Sequence, residues 1–92
     1  MNYISDTSWV KHEQNGNLAQ AATVLFNELR FNYYRMVEHG FSSVEKQELV
    51  NRIYYGIIHK QSFITAYPNK LPSLLSQIKN VRKKMKKLMR TI

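Results

Sequence analysis

The chain has no acidic residue beyond Glu48 and no cysteine anywhere. Without cysteine there is no disulfide framework, no thiolate nucleophile and no Cys-based zinc site, which is compatible with a reducing interior. Glycine is scarce: Gly16, Gly40 and Gly56 stand far apart, so no glycine-rich phosphate loop exists. His12, His39 and His59 fall on different segments, with no His-x3-His or His–Glu spacing to fix a metal. Glu45 and Glu48 share a helix face but read as a cap and a first-turn dipole partner rather than an acid/base pair. These absences lead to the expectation of a protein that is not an enzyme and has no cofactor. The longest apolar stretch, around Tyr54-Tyr55-Gly56-Ile57-Ile58, is far too short to span a bilayer. Met1 to Asp6 lacks the basic-then-apolar pattern of a secretory signal, so a cytoplasmic location is expected.

What is present is a strong charge asymmetry. Residues 1–48 hold six acids against four cations, a net −2, whereas residues 49–92 hold ten cations and no acid, a net +10. Seven of those ten cations lie between Lys79 and Arg90. Such polarisation points to a polyanionic or acidic partner on the basic side. The 92 residues suffice for one domain with one modest core, whose stability a partner can complete.

Hydrophobic periodicity reads as helix throughout, with no strand signature of comparable strength. Residues 1–15 are polar and aperiodic, an arm or short turn with Trp9 and Val10 as docking points. Leu18, Ala22, Leu25, Leu29, Tyr33 and Met36 then recur at steps of three and four. With Asn17 as N-cap and Gly40 as stop, this predicts a helix over 17–39. Ser42-Ser43-Val44-Glu45 fits a capping box with Ser42 as cap, and Phe41 before it acts as a weak staple. Leu49, Val50, Ile53, Ile57, Lys60 and Ile64 continue the stripe of a second helix over 43–65. Gly56 within it marks either a close helix crossing or a local weakness. The segment from Ala66 to Lys70 is the clearest loop, because Pro68 disfavours helix at the residue before it. Pro72 suits the first turn of a third helix over 71–91.

That last helix carries the main functional signal. Leu71, Leu74, Ile78, Val81, Met85, Leu88 and Ile92 alternate steps of three and four, an a/d heptad seam widened at e by Leu75 and Met89. In this register Lys79 and Lys86 fall at b, Lys87 at c, Arg82 at e, Lys83 and Arg90 at f and Lys84 at g. Charge is thus expected over the whole face away from the seam. A merely solvated helix interleaves Glu with Lys to gain i,i+4 pairs, and this helix has no Glu. Phosphate neutralisation by such a face gives salt-dependent, sequence-blind affinity. Lipid fits less well, since the apolar face has no Trp or Phe anchor. Like charges at e and g, Arg82 and Lys84, oppose a homodimeric coiled coil, so the seam is expected to pack within the chain. Among the aromatics, Tyr33 and Tyr54 are read as core and Tyr34 and Tyr55 as exposed. Tyr55, Tyr67 and Trp9 are candidate apolar anchors for a partner. The Tyr67–Pro68 bond reads as a turn and, secondarily, as a site for a prolyl isomerase.

The exposed loop Ala66-Tyr67-Pro68-Asn69-Lys70 and the basic helix from Lys79 to Arg90 resemble the lambdoid-phage anti-RecBCD accessory proteins, small basic helical chains that modify the RecBCD helicase–nuclease by binding it. The resemblance implies inhibition or modulation of host RecBCD, so that phage DNA ends survive and recombine. Taken together, the expectation is an all-α, three-helix domain that acts as a non-enzymatic phage-type inhibitor. It would dock on a host complex that handles nucleic acid through Lys79, Arg82, Lys83, Lys84, Lys86, Lys87 and Arg90, with Trp9, Tyr55, Tyr67 and Pro68 beside them. An anti-CRISPR protein on a Cas ribonucleoprotein is served by the same features. A small DNA-binding regulator touching DNA or RNA directly is the other class, although residues 39–44 lack helix–turn–helix spacing. A purely structural interaction module is the third.

Overall fold

The computed structural model of the chain describes residues 1–41, 43–52, 55–56 and 68–91. Among the described residues the fold is all-α, with no strand. Helix α1 spans Ser8–Gln14 and α2 spans Leu18–His39. Residues 44–52 form α3, and residues 55–56 are also helical. A short 3-10 turn, Pro68–Lys70, runs directly into α4, Leu71–Met89.

Helix α1 corrects the expectation of an arm or turn over 1–15. The Asp6 carboxylate accepts from the Ser8 N–H at 2.9 Å and from its hydroxyl at 2.7 Å, which supplies the capping acceptor one residue before the N-cap Thr7. Those bonds, the hydroxyl first, hold the Asp6 pKa below its usual range. The helix ends where Gly16 takes φ +76° and the Asn17 N–H reaches back to the His12 carbonyl at 2.8 Å. Seven residues are too few to display a 3.6-residue period, so only these end signals announce α1.

Helix α2 lies where the periodicity places it. Asn17 caps it, accepting from the Gln20 N–H at 3.3 Å. Gly40 ends it with φ +82° and ψ 165°, a region essentially confined to glycine, while its N–H bonds to the Met36 and Val37 carbonyls. Ala22, Leu25, Leu29 and Met36 are buried and Leu18 and Tyr33 half-buried, as the spacing predicts. The buried stripe is wider than the apolar one. Ala21, Glu28 and Asn32 extend it on one side, so a carboxylate and an amide one turn apart lie inside.

The cap of α3 shifts by one residue: the Ser43 hydroxyl accepts from the Lys46 N–H at 3.3 Å, whereas Ser42 lies outside the described residues. Val50 buries into the core, and the Tyr33 hydroxyl donates to Asn51 Oδ1 at 2.8 Å. A Cβ built on Gly56 meets no atom within 4 Å, so Gly56 marks no close crossing among the described residues. The expected continuation to residue 65 lies beyond residue 56, outside what is described, as do Tyr54 and His59.

At α4 two expectations change. Residues 68–70 are not open loop but a 3-10 turn that leads into the helix, with Pro72 inside its first turn. The buried face is also rotated away from the a/d seam. Leu74, Leu75, Ile78, Met85 and Met89 are buried, whereas Leu71, Val81 and Leu88 are only partly covered. The helix therefore rolls toward its e positions, which brings Arg82 onto the inner face between Leu75 and Met89. The core joins Leu25, Phe26, Leu29 and Met36 of α2 with these residues and Val50. Helix α2 is central, with α1 and α4 both packed on it. Met1, Tyr3 and Trp9 cover the core from the N-terminal side.

Candidate anion-binding surface

The N-terminal arm is held by two polar side chains of α2. Asn32, fully buried, accepts from the Ile4 N–H through Oδ1 at 2.9 Å and donates to the Ile4 carbonyl through Nδ2 at 2.8 Å. This is the pairing a neighbouring strand would offer, supplied by one side chain. Its Nδ2 also donates to the Glu28 carbonyl at 2.8 Å. The Glu28 side chain is only 1% exposed. Its carboxylate accepts from the Tyr3 hydroxyl at 2.5 Å, the Asp6 N–H at 2.6 Å and Arg82 Nε at 2.6 Å, with Arg82 Nη2 at 3.3 Å. A buried carboxylate is tolerated only when its lone pairs are so filled. Burial, then the Glu28 hydrogen bond and charge, push the Tyr3 phenol well above its ordinary pKa. Burial works to lower the Arg82 pKa, but the Glu28 carboxylate outweighs it and the net direction is up.

Two of the seven cations between Lys79 and Arg90 are therefore paired within the chain. Arg82, expected on the outer face, is 14% exposed and paired with Glu28. Lys79 pairs with Glu13 at 2.7 Å, both half-exposed. Trp9, expected as an anchor for a partner, is instead half-buried against the core. The Lys79 ammonium lies 5.1 Å and the Arg82 guanidinium 5.7 Å from its ring centre, in cation–π range. Its indole N–H is buried with no hydrogen-bond partner among the described residues. Each pairing joins the acidic half of the chain to the basic half across more than fifty residues of sequence.

The remaining five, Lys83, Lys84, Lys86, Lys87 and Arg90, form an outer ridge with no carboxylate in ion-pair range among the described residues. Four are exposed, and Lys86 is half-buried over the Tyr3 ring at 5.5 Å. Because the inner face of α4 is pinned by Leu75, Ile78, Met85 and Met89, the ridge is presented on a fixed helix.

Of the other residues singled out from sequence, Tyr55 is 63% and Tyr34 50% exposed, as expected, on the α3 segment and on α2. Phe31 and Val37 join Tyr34 on the outer face of α2. Tyr67 and the Tyr67–Pro68 bond lie outside the described residues, and only the backbone of Pro68 is described, in the 3-10 turn. No group of three or more His, Asp or Glu suited to a metal occurs among the described residues, and no helix among them is long and apolar enough to cross a membrane. The structural role of Tyr3, Glu28 and Asn32 escapes an apolar-only reading. A signal was present, since Ala21, Leu25, Glu28, Asn32 and Arg35 follow steps of four and three. No protein-family model, curated protein or solved structure matches this chain.

Proposed function

We propose that this protein is a binder without chemistry of its own, which lays the outer ridge of α4 on the nucleic-acid-holding surface of a bacterial host complex and so blocks or redirects it. The observation that carries this reading is the ridge itself: Lys83, Lys84, Lys86, Lys87 and Arg90 gather on one helix with no carboxylate to balance them among the described residues. Neutralising phosphates with such a row releases counterions and gives affinity without base readout. Glu13 and Glu28 are taken by Lys79 and Arg82, and no ion pair to a carboxylate reaches the ridge among the described residues. RecBCD is the first candidate complex, and a Cas ribonucleoprotein is served by the same surface.

Affinity purification from a bacterial lysate, with and without nuclease, tests the reading. The expected result is recovery of the RecBCD subunits, or of a Cas complex, that survives nuclease and is lost in K83Q/K84Q/K87Q. Recovery of nucleic acid alone, or undiminished recovery of the complex by the triple variant, overturns it.

A further inference from the structure

A cavity of about 280 Å³ opens between the N-terminal arm and the last turns of α4, lined by Asn2, Tyr3, Ser5, Lys86 and Arg90. No acid lines it. Lys86 and Arg90 are four residues apart, so both project into it from one helix face. The opposite wall is the arm, and that wall is rigid: Ile4 is clamped on both backbone groups by Asn32, and the Asp6 N–H by Glu28. Because the Tyr3 hydroxyl is consumed by Glu28, Tyr3 contributes its ring, which holds the Lys86 ammonium in place at 5.5 Å. Asn2 and Ser5 add neutral polar groups at the rim.

A second basic groove of about 280 Å³ lies nearby, lined by Trp9, Ser76, Lys79, Asn80, Arg82 and Lys83. There the inner cations already hold Glu13 and Glu28. The two grooves thus differ in one respect: in the first every lining cation lacks a carboxylate partner among the described residues, whereas in the second only Lys83 does. An ammonium and a guanidinium converging from one side, with neutral donors opposite, suit a tetrahedral oxyanion, since a guanidinium can fork onto two phosphate oxygens. Because Lys86 is half-buried, its attraction for an anion is screened less than that of the exposed Lys83, Lys84 and Lys87.

We infer that this notch is a phosphate-binding site, which seats one phosphate group while the rest of the ridge makes looser contacts. The inference deepens the ridge reading by fixing where one phosphate sits and by giving the N-terminal arm a part in binding. The ligand chemistry is a phosphate group, either a phosphodiester of a strand or the phosphate of a free small molecule.

Amide NMR of the full chain, titrated with inorganic phosphate at constant ionic strength against chloride, tests the site. Saturable shifts at Asn2, Ser5 and Arg90 are expected, lost in K86Q/R90Q and retained in K83Q/K84Q. Shifts that fail to saturate, or that persist in K86Q/R90Q, overturn the site. A short single-stranded oligonucleotide without terminal phosphates forms the second arm. If the phosphate belongs to a strand, K86Q/R90Q lowers the slope of log K against log salt by about 0.7 per lost contact. Saturable phosphate shifts with an unchanged slope assign the notch to a free phosphate compound. Phosphate binding at the notch without capture of a host complex would sink the ridge reading and leave the notch standing.

Discussion

Removing either member of the Glu28–Arg82 pair is expected to cost far more than removing both. The carboxylate side chain is 1% exposed and the guanidinium side chain 14% exposed, so neither can recover its solvation when left alone. Breaking a buried ion pair from one side costs about 3–5 kcal/mol, because an uncompensated charge remains behind. Proteins hold roughly 0.05–0.15 kcal/mol per residue, so a chain of 92 residues carries on the order of 5–14 kcal/mol in total. Glu28→Met or Arg82→Met alone therefore takes a large fraction of the stability. Glu28→Met also strips the acceptor from Tyr3 and Asp6, each bond contributing about 1 kcal/mol. The double variant E28M/R82M buries no charge and offers two flexible apolar chains of similar length, so it should be more stable than either single variant. Urea unfolding followed by circular dichroism measures the helices, and the fluorescence of Trp9, the sole tryptophan, reports the docking of α1 against α4. The expected coupling in the double-mutant cycle is about 2 kcal/mol or more. If the two substitutions add to within about 0.5 kcal/mol, the pair does not organise the fold and the reasoning fails.

Asn32→Ala should release the arm while leaving the helices formed, because its amide satisfies both backbone groups of Ile4. A loss of about 2–3 kcal/mol is expected, together with faster amide exchange at Ile4 and early proteolysis within residues 1–7; unchanged protection at Ile4 would refute the clamp. Tyr3→Phe makes a pH-dependent prediction. The folded phenol pKa is raised, first by burial and then by Glu28, so its contribution is complete below the unfolded value near about pH 10 and is lost as the pH rises beyond it. Wild type should exceed Y3F by about 1 kcal/mol at neutral pH, and the two stability curves should converge above about pH 10. A gap that stays constant or widens with pH contradicts the assigned cause.

The legible parts of this fold are those that repeat. Helix α2 spans enough turns for its stripe to be counted, and its ends carry Asn17 and Gly40, whose chemistry acts within a few residues. Helix α4 was equally visible, but its rotation was not. The spacing of Leu71, Leu74, Ile78 and Val81 suits an a/d seam, yet Leu75 and Met89 at e compete for burial and, with Arg82, win. What tips the balance is a residue on another helix: Glu28 needs a cation, and only rolling α4 toward its e face supplies Arg82. Periodicity cannot contain that information, because the pairing spans 54 residues. Helix α1 escaped for the opposite reason, since all of its signals are at its ends. Of the candidate site, Lys83, Lys84, Lys87 and Arg90 are exposed as expected and Lys86 is half-buried, whereas Lys79 and Arg82 are paired within the chain and Trp9 packs on the core.

The ridge that remains is locally unfavourable, and this bears on what it is for. Among its five cations, Lys83–Lys86, Lys84–Lys87 and Lys87–Arg90 stand three residues apart, and Lys83–Lys87 and Lys86–Arg90 four apart. At about 0.2–0.5 kcal/mol for each like-charge neighbour, the row costs roughly 1–2.5 kcal/mol of helix stability at low salt. The helix dipole returns part of this, since Lys86 and Lys87 lie in the last turn. It returns nothing at the other end, where the N-cap is Lys70 and no acid occupies the first turn. The packing of Ile78, Met85 and Met89 and the Glu28–Arg82 pair hold the helix against this repulsion. A bound polyanion removes the repulsion instead of resisting it, so the same charges that weaken the free helix favour its complex. Apolar packing and two ion pairs fix α4 to the domain, and the five cations left without a carboxylate among the described residues are the part of the helix that this packing does not explain.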